Sequence, residues 1–186
     1  MPSGALTLVV AVLGLSIGYA YDRFAKGTAW SWVPFTLAIP LVPVFGWVGT
    51  GQPLPSAFAV LVPCAALAGA ALAIANASAD FEQDRASGAA SVAIRLGLAR
   101  AWRVHVVLIA IAIAVVLGSL VAARPGEVSL LTAMLGTAVV GGGVVLGATA
   151  AGRRSSPRER ELAWEAEAAG MGILATAWLA GLAGLG

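Results

Sequence analysis

Asn76, Asp80 and Asp84 stand four residues apart in the stretch NASADFEQDRASG, Asn76 to Gly88. On a helix that spacing stacks three oxygen-bearing side chains along one face. Glu82 falls about 200° from Asp80, at roughly 3.6 residues per turn, and points elsewhere. It sits three residues before Arg85 and is expected to be solvated and paired with that arginine. Two carboxylates one turn apart repel unless a positive charge lies between them. Mg²⁺ suits the position: it takes oxygen ligands and usually binds one or two carboxylates together with substrate phosphates. Asn76, Asp80 and Asp84 are therefore candidate metal ligands. The alternative is an acidic helix end simply exposed at a membrane surface.

A second polar patch, YAYDRFAKGT, carries Tyr21, Arg23 and Lys26. Basic groups facing a carboxylate–Mg²⁺ cluster can hold a diphosphate, so these three are candidate substrate-binding residues. The competing explanation is that they anchor the chain at the membrane face, and it weighs more on Arg23 than on Lys26.

The elements that must position these groups are apolar. Of the 186 residues, 60% are hydrophobic and 11% charged, against about 25% charged in a soluble domain. Runs of about 18 or more apolar residues are candidate membrane spans. Six are read here: Gly4–Tyr21, Trp32–Val48, Ala57–Ala79, Val104–Ala122, Val128–Ala150 and Ala168–Leu185. Lipid cannot satisfy exposed backbone groups, so such spans are helices. The expectation is one all-α, polytopic membrane bundle over residues 1–186, with no separate soluble domain. MPSGALTLVV lacks a basic leader segment, so no cleaved signal peptide is expected. Cys64 is alone, which excludes an internal disulfide and fits a small buried hydrophobe.

Charge gives the bundle a direction. Arg23 and Lys26, then Arg85, Arg95, Arg100 and Arg103, then Arg153, Arg154, Arg158 and Arg160 occupy alternate loops, and the other loops hold only Arg124. The positive-inside rule places the first set, and the acidic motif with it, on the cytoplasmic side, with both termini outside. The expected location is a bacterial plasma membrane. Trp30, Trp32, Trp47, Trp102 and Trp164 fall near span ends, where indoles favour the headgroup region; Trp178 lies inside a span. Pro34, Pro40 and Pro43 favour a kink in the second span. Gly14, Gly18 and the run Gly141–Gly143 permit close helix approach. His105 has no acidic partner in its own helix and is expected at the interface. Arg153 to Arg160 are expected in a solvated loop against anionic lipid, with no nucleic-acid role.

The segment ANASADFEQDRASGAASVAIRLG resembles the second aspartate motif of the UbiA superfamily of intramembrane prenyltransferases. The match takes in Asn76, Asp80, Asp84, Arg85, Gly88, Arg95 and Gly97. YDRFAKGTAWSWVPFTLAIPLVP resembles that family's tyrosine–lysine loop and the proline-bearing helix after it. The resemblance implies a helical bundle around a cavity open to lipid, with the six spans corresponding to helices four to nine of nine. The family's first motif, of N-D-xxx-D-xxx-D type, has no counterpart, and Asp22 is the only acidic residue before Asp80. The expectation is thus an N-terminally truncated domain, with a partner or a longer chain supplying that motif.

The resemblance further implies Mg²⁺-dependent transfer of an isoprenyl group from its diphosphate to a lipophilic, usually aromatic, acceptor. Asp80, Asp84 and Lys26 would be the catalytic residues, Asn76, Asp80 and Asp84 the metal ligands. Tyr21, Arg23, Lys26 and Arg95 would bind substrate. Two readings stand beside it: a non-catalytic membrane scaffold or remnant of the family, and a magnesium-permeation subunit. The last is ranked lowest because no acidic residue lies deep in an expected span.

Overall fold

A computed structural model describes residues 3–123, 126–151 and 156–182. These form nine α-helices and a π-helical turn, with no strand among them. Helix α1 (Ser3–Ala20) runs into the π turn (Tyr21–Ala25). Two short helices follow, α2 (Trp32–Ala38) and α3 (Leu41–Val48). Next come α4 (Phe58–Ala79), α5 (Phe81–Ser87) and α6 (Val92–Leu96), then the long α7 (Leu98–Ala122), α8 (Glu127–Ala151) and α9 (Pro157–Leu182). Among the described residues, four helices are long and apolar enough to cross a membrane: Gly4–Ala25, Phe58–Ala79, Leu98–Ala122 and Glu127–Ala148. The all-helical membrane bundle expected from composition is therefore what forms.

Two of the six expected spans, the second and the sixth, are not among these four. The second is broken into α2 and α3 at Ile39 and Pro40, because proline cannot donate the backbone hydrogen bond a continuous helix needs there. The sixth is the later part of α9, which begins eleven residues earlier, at Pro157. Proline is favoured in a first helical turn, where its missing N–H is no loss.

α4 is the central helix. Its inner face is built from Ala68, Gly69, Ala71, Ala75 and Ala77, and small residues let neighbouring backbones approach closely. α7, α2 and α9 all pack on it. The main core joins Leu61 and Cys64 of α4, Ile109 and Leu120 of α7, Val140 of α8, and Leu174 and Trp178 of α9. Trp178 is 3% exposed and donates its indole N–H to Ser119 Oγ at 2.9 Å. α1 lies at the margin, with Leu8, Leu15 and Tyr19 exposed, as a helix bordered by lipid can be.

Glycines set the tightest contacts. A Cβ at Gly136 would stand 2.9 Å from Gly170 O, and one at Gly143 would stand 2.6 Å from Glu167 Cγ, so α8 and α9 meet backbone to backbone. Gly143 thus has the packing role expected of its run, whereas Gly14, Gly18, Gly141 and Gly142 have no neighbour within 4 Å of an added Cβ. At Gly69 of α4 an added Cβ would lie 2.5 Å from Phe35 O and 2.9 Å from Phe35 C. Both obstacles are backbone and cannot rotate away. Gly69→Ala should therefore push α2 off α4 and cost on the order of 1–3 kcal/mol, read as a lowered unfolding midpoint in detergent. An unchanged midpoint would show the contact to be slack.

Candidate functional site

The acidic stripe survives a change of helix. α4 ends at Ala79, and Asp80, at φ −85° and ψ 5°, is the joint before α5. The i to i+4 bonds nevertheless continue through it: Asp80 N–H donates to Asn76 O at 3.1 Å, and Asp84 N–H to Asp80 O at 2.8 Å. Asn76, Asp80 and Asp84 thus stay in line. α5 then stops at Gly88, whose φ of 75° is a left-handed conformation that glycine adopts without strain.

The tyrosine–lysine loop reaches the stripe by a different device. Tyr21 and Lys26 are five residues apart, which on an α-helix would separate them by about 140°. The π turn removes that mismatch, because Lys26 N–H donates to Tyr21 O at 2.8 Å, an i to i+5 bond. Gly27, at φ 71°, turns the chain, and its carbonyl accepts the Ala90 N–H at 2.9 Å. The loop after the acidic motif is thereby pinned to the loop that carries Lys26. Tyr21 is steadied by an edge-to-face contact with Phe35 at 5.3 Å.

The result is a cleft of about 350 Å³, open solvent included, whose walls include Tyr21, Lys26, Phe35, Asn76, Asp80 and Asp84. Five of the seven residues singled out from sequence thus line one space. Arg23 and Arg95 do not: Arg23 is exposed, with its guanidinium 5.6 Å from the Phe24 ring centroid, and Arg95 is exposed on α6. Asn76 and Asp80 also border a second cleft of about 910 Å³, shared with Gln83, Glu161 and Trp164. Deeper along the same α2–α4 helix pair lies an apolar pocket of about 810 Å³, with Ile39, Pro43, Ala68 and Leu72 among its walls.

The donor set suits a hard divalent cation. Among the described residues no three His, Cys, Asp or Glu side chains converge as a complete metal cage. Two carboxylates and a carboxamide, leaving positions for phosphate oxygens, are nonetheless the kind of partial oxygen shell Mg²⁺ uses. The electrostatics agree. Burial pushes the Asp80 carboxyl above its ordinary range; Asp84 adds to this, Lys26 opposes it, and Glu161 adds a little more. The acidic pair therefore lacks full compensation from the protein.

That shift carries a sign. A carboxyl raised on folding is stabilising below its unfolded value, near 3.9, and loses that contribution as pH rises through the folded value. Infrared titration of the ligand-free protein should find the Asp80 midpoint above that of an ordinary aspartate. Asp84→Asn should lower it and Lys26→Met should raise it. Movement in the opposite directions would mean that these charges do not share the cleft.

Three expectations are corrected. Glu82 is not paired with Arg85; it forms an ion pair with Arg160 of α9. Arg160 is only 6% exposed, so it belongs to the packed end of a helix and not to a solvated loop. Arg153 and Arg154 lie outside the described residues, as does Arg124. Arg158 does stay at the surface, 3.0 Å from Glu161.

His105 is not interfacial. It is fully buried, with Nδ1 2.9 Å from Ala71 O and Nε2 2.9 Å from Glu167 Oε2, both side chains at 0% exposure. A carbonyl only accepts, so Nδ1 carries the proton of that hydrogen bond and turns Nε2 towards the carboxylate. Glu167, one residue before the expected sixth span, is thus an acidic side chain enclosed by the bundle. The pair was hidden because its members are 62 residues apart and only the packing of α7 on α9 joins them.

No curated protein and no solved structure matches the chain significantly. The UbiA prenyltransferase family, by contrast, matches residues 2–183, nearly the whole length. With that match over an all-helical membrane bundle, the chain belongs to the UbiA prenyltransferase family.

Proposed function

We propose that this chain is an intramembrane prenyltransferase that binds an isoprenyl diphosphate with its charged head between Lys26 and the Asp80–Asp84 pair. The observation that carries the reading is the order of cavities along α2 and α4. The polar cleft at Phe35, Asn76 and Asp80 is followed by the apolar pocket at Ile39, Leu72 and Ala68. An isoprenyl diphosphate has that polarity: a charged head that needs cations and donors, and a tail that prefers a lipid-like wall.

Asp80 and Asp84, with Asn76 assisting, are the residues that would hold Mg²⁺. When bound, the ion would offset the charge that develops on the departing diphosphate. Lys26 supplies the ammonium that binds diphosphate oxygens, and the Tyr21 phenol donates beside it. In the reaction the allylic C–O bond breaks with its electron pair leaving on the diphosphate. A bond forms from a lipophilic, usually aromatic, acceptor to the allylic carbon, and the acceptor then loses a proton. Arg23 and Arg95, outside the cleft, are assigned to the membrane face, which the positive-inside reading places in the cytoplasm.

The test is Mg²⁺-dependent binding and transfer by the purified 186-residue protein, with a panel of isoprenyl diphosphates and aromatic acceptors. The expected result is binding with slow transfer. Asp22 is the only acidic residue before Asp80, so one acidic cluster is asked to do what the resembled enzymes divide between two. Losing one preorganised electrostatic contact costs on the order of 10²–10³ in rate. Failure to bind any isoprenyl diphosphate would reject the reading. Robust turnover without added protein would show that one cluster suffices. Binding with no transfer under any condition would favour the non-catalytic member of the family, which the lone cluster also supports.

A further inference from the structure

We propose that Ser31 and Ser91 are two further ligands of the diphosphate, donating their hydroxyl protons to its oxygens inside the Asp80–Asp84 cleft; this rests on the diphosphate reading above. Both residues line that cleft with Lys26, Asn76, Asp80 and Asp84. Ser31 is 6% exposed and Ser91 2%, yet neither Oγ has a hydrogen-bond partner. A buried hydroxyl left unpaired is costly, and each such group calls for a physical reason.

Local structure makes the omission more telling. Ser31 precedes α2 and Ser91 precedes α6, both at the N-cap position, and neither side chain caps its helix. Serine is favoured there because its oxygen ordinarily accepts a free N–H of the first turn. Hydroxyls elsewhere in the chain are satisfied by nearby carbonyls: Thr28 on Ala25 O, Thr36 on Trp32 O, Ser78 on Ile74 O, Ser87 on Asp84 O. Ser129 of α8 is also buried and unpaired, but it does not border the cleft. The two unpaired hydroxyls that do border it come from different segments, one beyond the lysine loop and one beyond the acidic motif.

Their chemistry answers a need of the site. A diphosphate entering beside two carboxylates is repelled by them, and Lys26 is the one cation on the cleft wall among the described residues. Neutral O–H donors bind phosphate oxygens while leaving the charge balance for the metal unchanged. Sequence reading passed over both because serine is commonplace at helix starts, and only burial without a partner sets these two apart.

The experiment titrates the purified 186-residue protein in detergent with Mg²⁺ and inorganic pyrophosphate, and separately with geranyl diphosphate. Ser31→Ala and Ser91→Ala should each weaken both ligands by about tenfold or more, as loss of a hydrogen bond to a charged group does. Ser31→Thr should retain most of the affinity, and unfolding midpoints should hardly move. Unchanged affinity in both alanine variants, with Lys26→Ala impaired, would overturn the serine assignment and leave the diphosphate reading standing. No binding by the parent protein would overturn both. Should an alanine variant fail to fold, Ser31→Cys and Ser91→Cys in a Cys64→Ala background serve instead. Pyrophosphate with Mg²⁺ should protect each new thiol from methanethiosulfonate labelling, and unprotected labelling at both would reject the proposal.

Discussion

Glu167→Ala is expected to destabilise the bundle by roughly 3–5 kcal/mol, the cost of leaving one partner of a buried ionisable pair alone. His105 would keep its Nδ1–H on Ala71 O, but its Nε2, fully enclosed, would lose the carboxylate it meets at 2.9 Å. The Trp102 ring, with its centroid 4.9 Å from that of the imidazole, offers an aromatic surface and no acceptor in its place. Helix α8 cannot simply collapse into the gap either, since Gly143 already lies against Glu167. The double change His105→Leu with Glu167→Met should recover most of the loss, because it removes both polar groups together and keeps volume in the core. Unfolding in detergent micelles, read by far-ultraviolet dichroism, measures all of these variants. A loss below about 1 kcal/mol for Glu167→Ala would mean that the pair contributes little to holding α7, α4 and α9 together.

Asp80→Asn and Asp84→Asn should each weaken Mg²⁺-dependent diphosphate binding by about 100-fold or more. Partners in a metal's outer shell already cost 10–100-fold when removed, so a direct ligand is expected to cost at least as much. Glu82→Gln should leave the affinity within about threefold, because its carboxylate pairs with Arg160 of α9 and, although it borders the second cleft, does not line the one that holds Lys26 and Asp84. It should instead lower the unfolding midpoint, since Arg160 is buried and loses its carboxylate partner on α5. Titration calorimetry beside thermal melts separates the two effects. Equal losses of affinity at all three positions would mean a diffuse acidic surface and no site.

Much of the candidate site could be read along the chain because its residues are joined by local geometry. The four-residue spacing of Asn76, Asp80 and Asp84 is a helical repeat, and it held even though the helix changes at Asp80, since the backbone ladder runs through that joint. The apolar runs similarly determined that the fold is helical, because a backbone in lipid has few other ways to satisfy its polar groups. Pro40 marked the break between α2 and α3 for an equally local reason.

What the tertiary structure decided was which faces meet, and spacing along one chain does not encode that. Tyr21 and Lys26 share a wall with the carboxylates only because a π turn brings them into line and the Gly27 carbonyl holds the Ala90 N–H. Arg23, two residues from Tyr21, is left at the surface by the same turn. Glu82 pairs across the bundle with Arg160 although Arg85 lies closer in sequence. His105 and Glu167 became partners because glycines on α8 and small residues on α4 let α7 and α9 pack closely around them. Burial then turned two ordinary polar residues into an obligatory pair, as the energy of such a contact depends on the water excluded from around it.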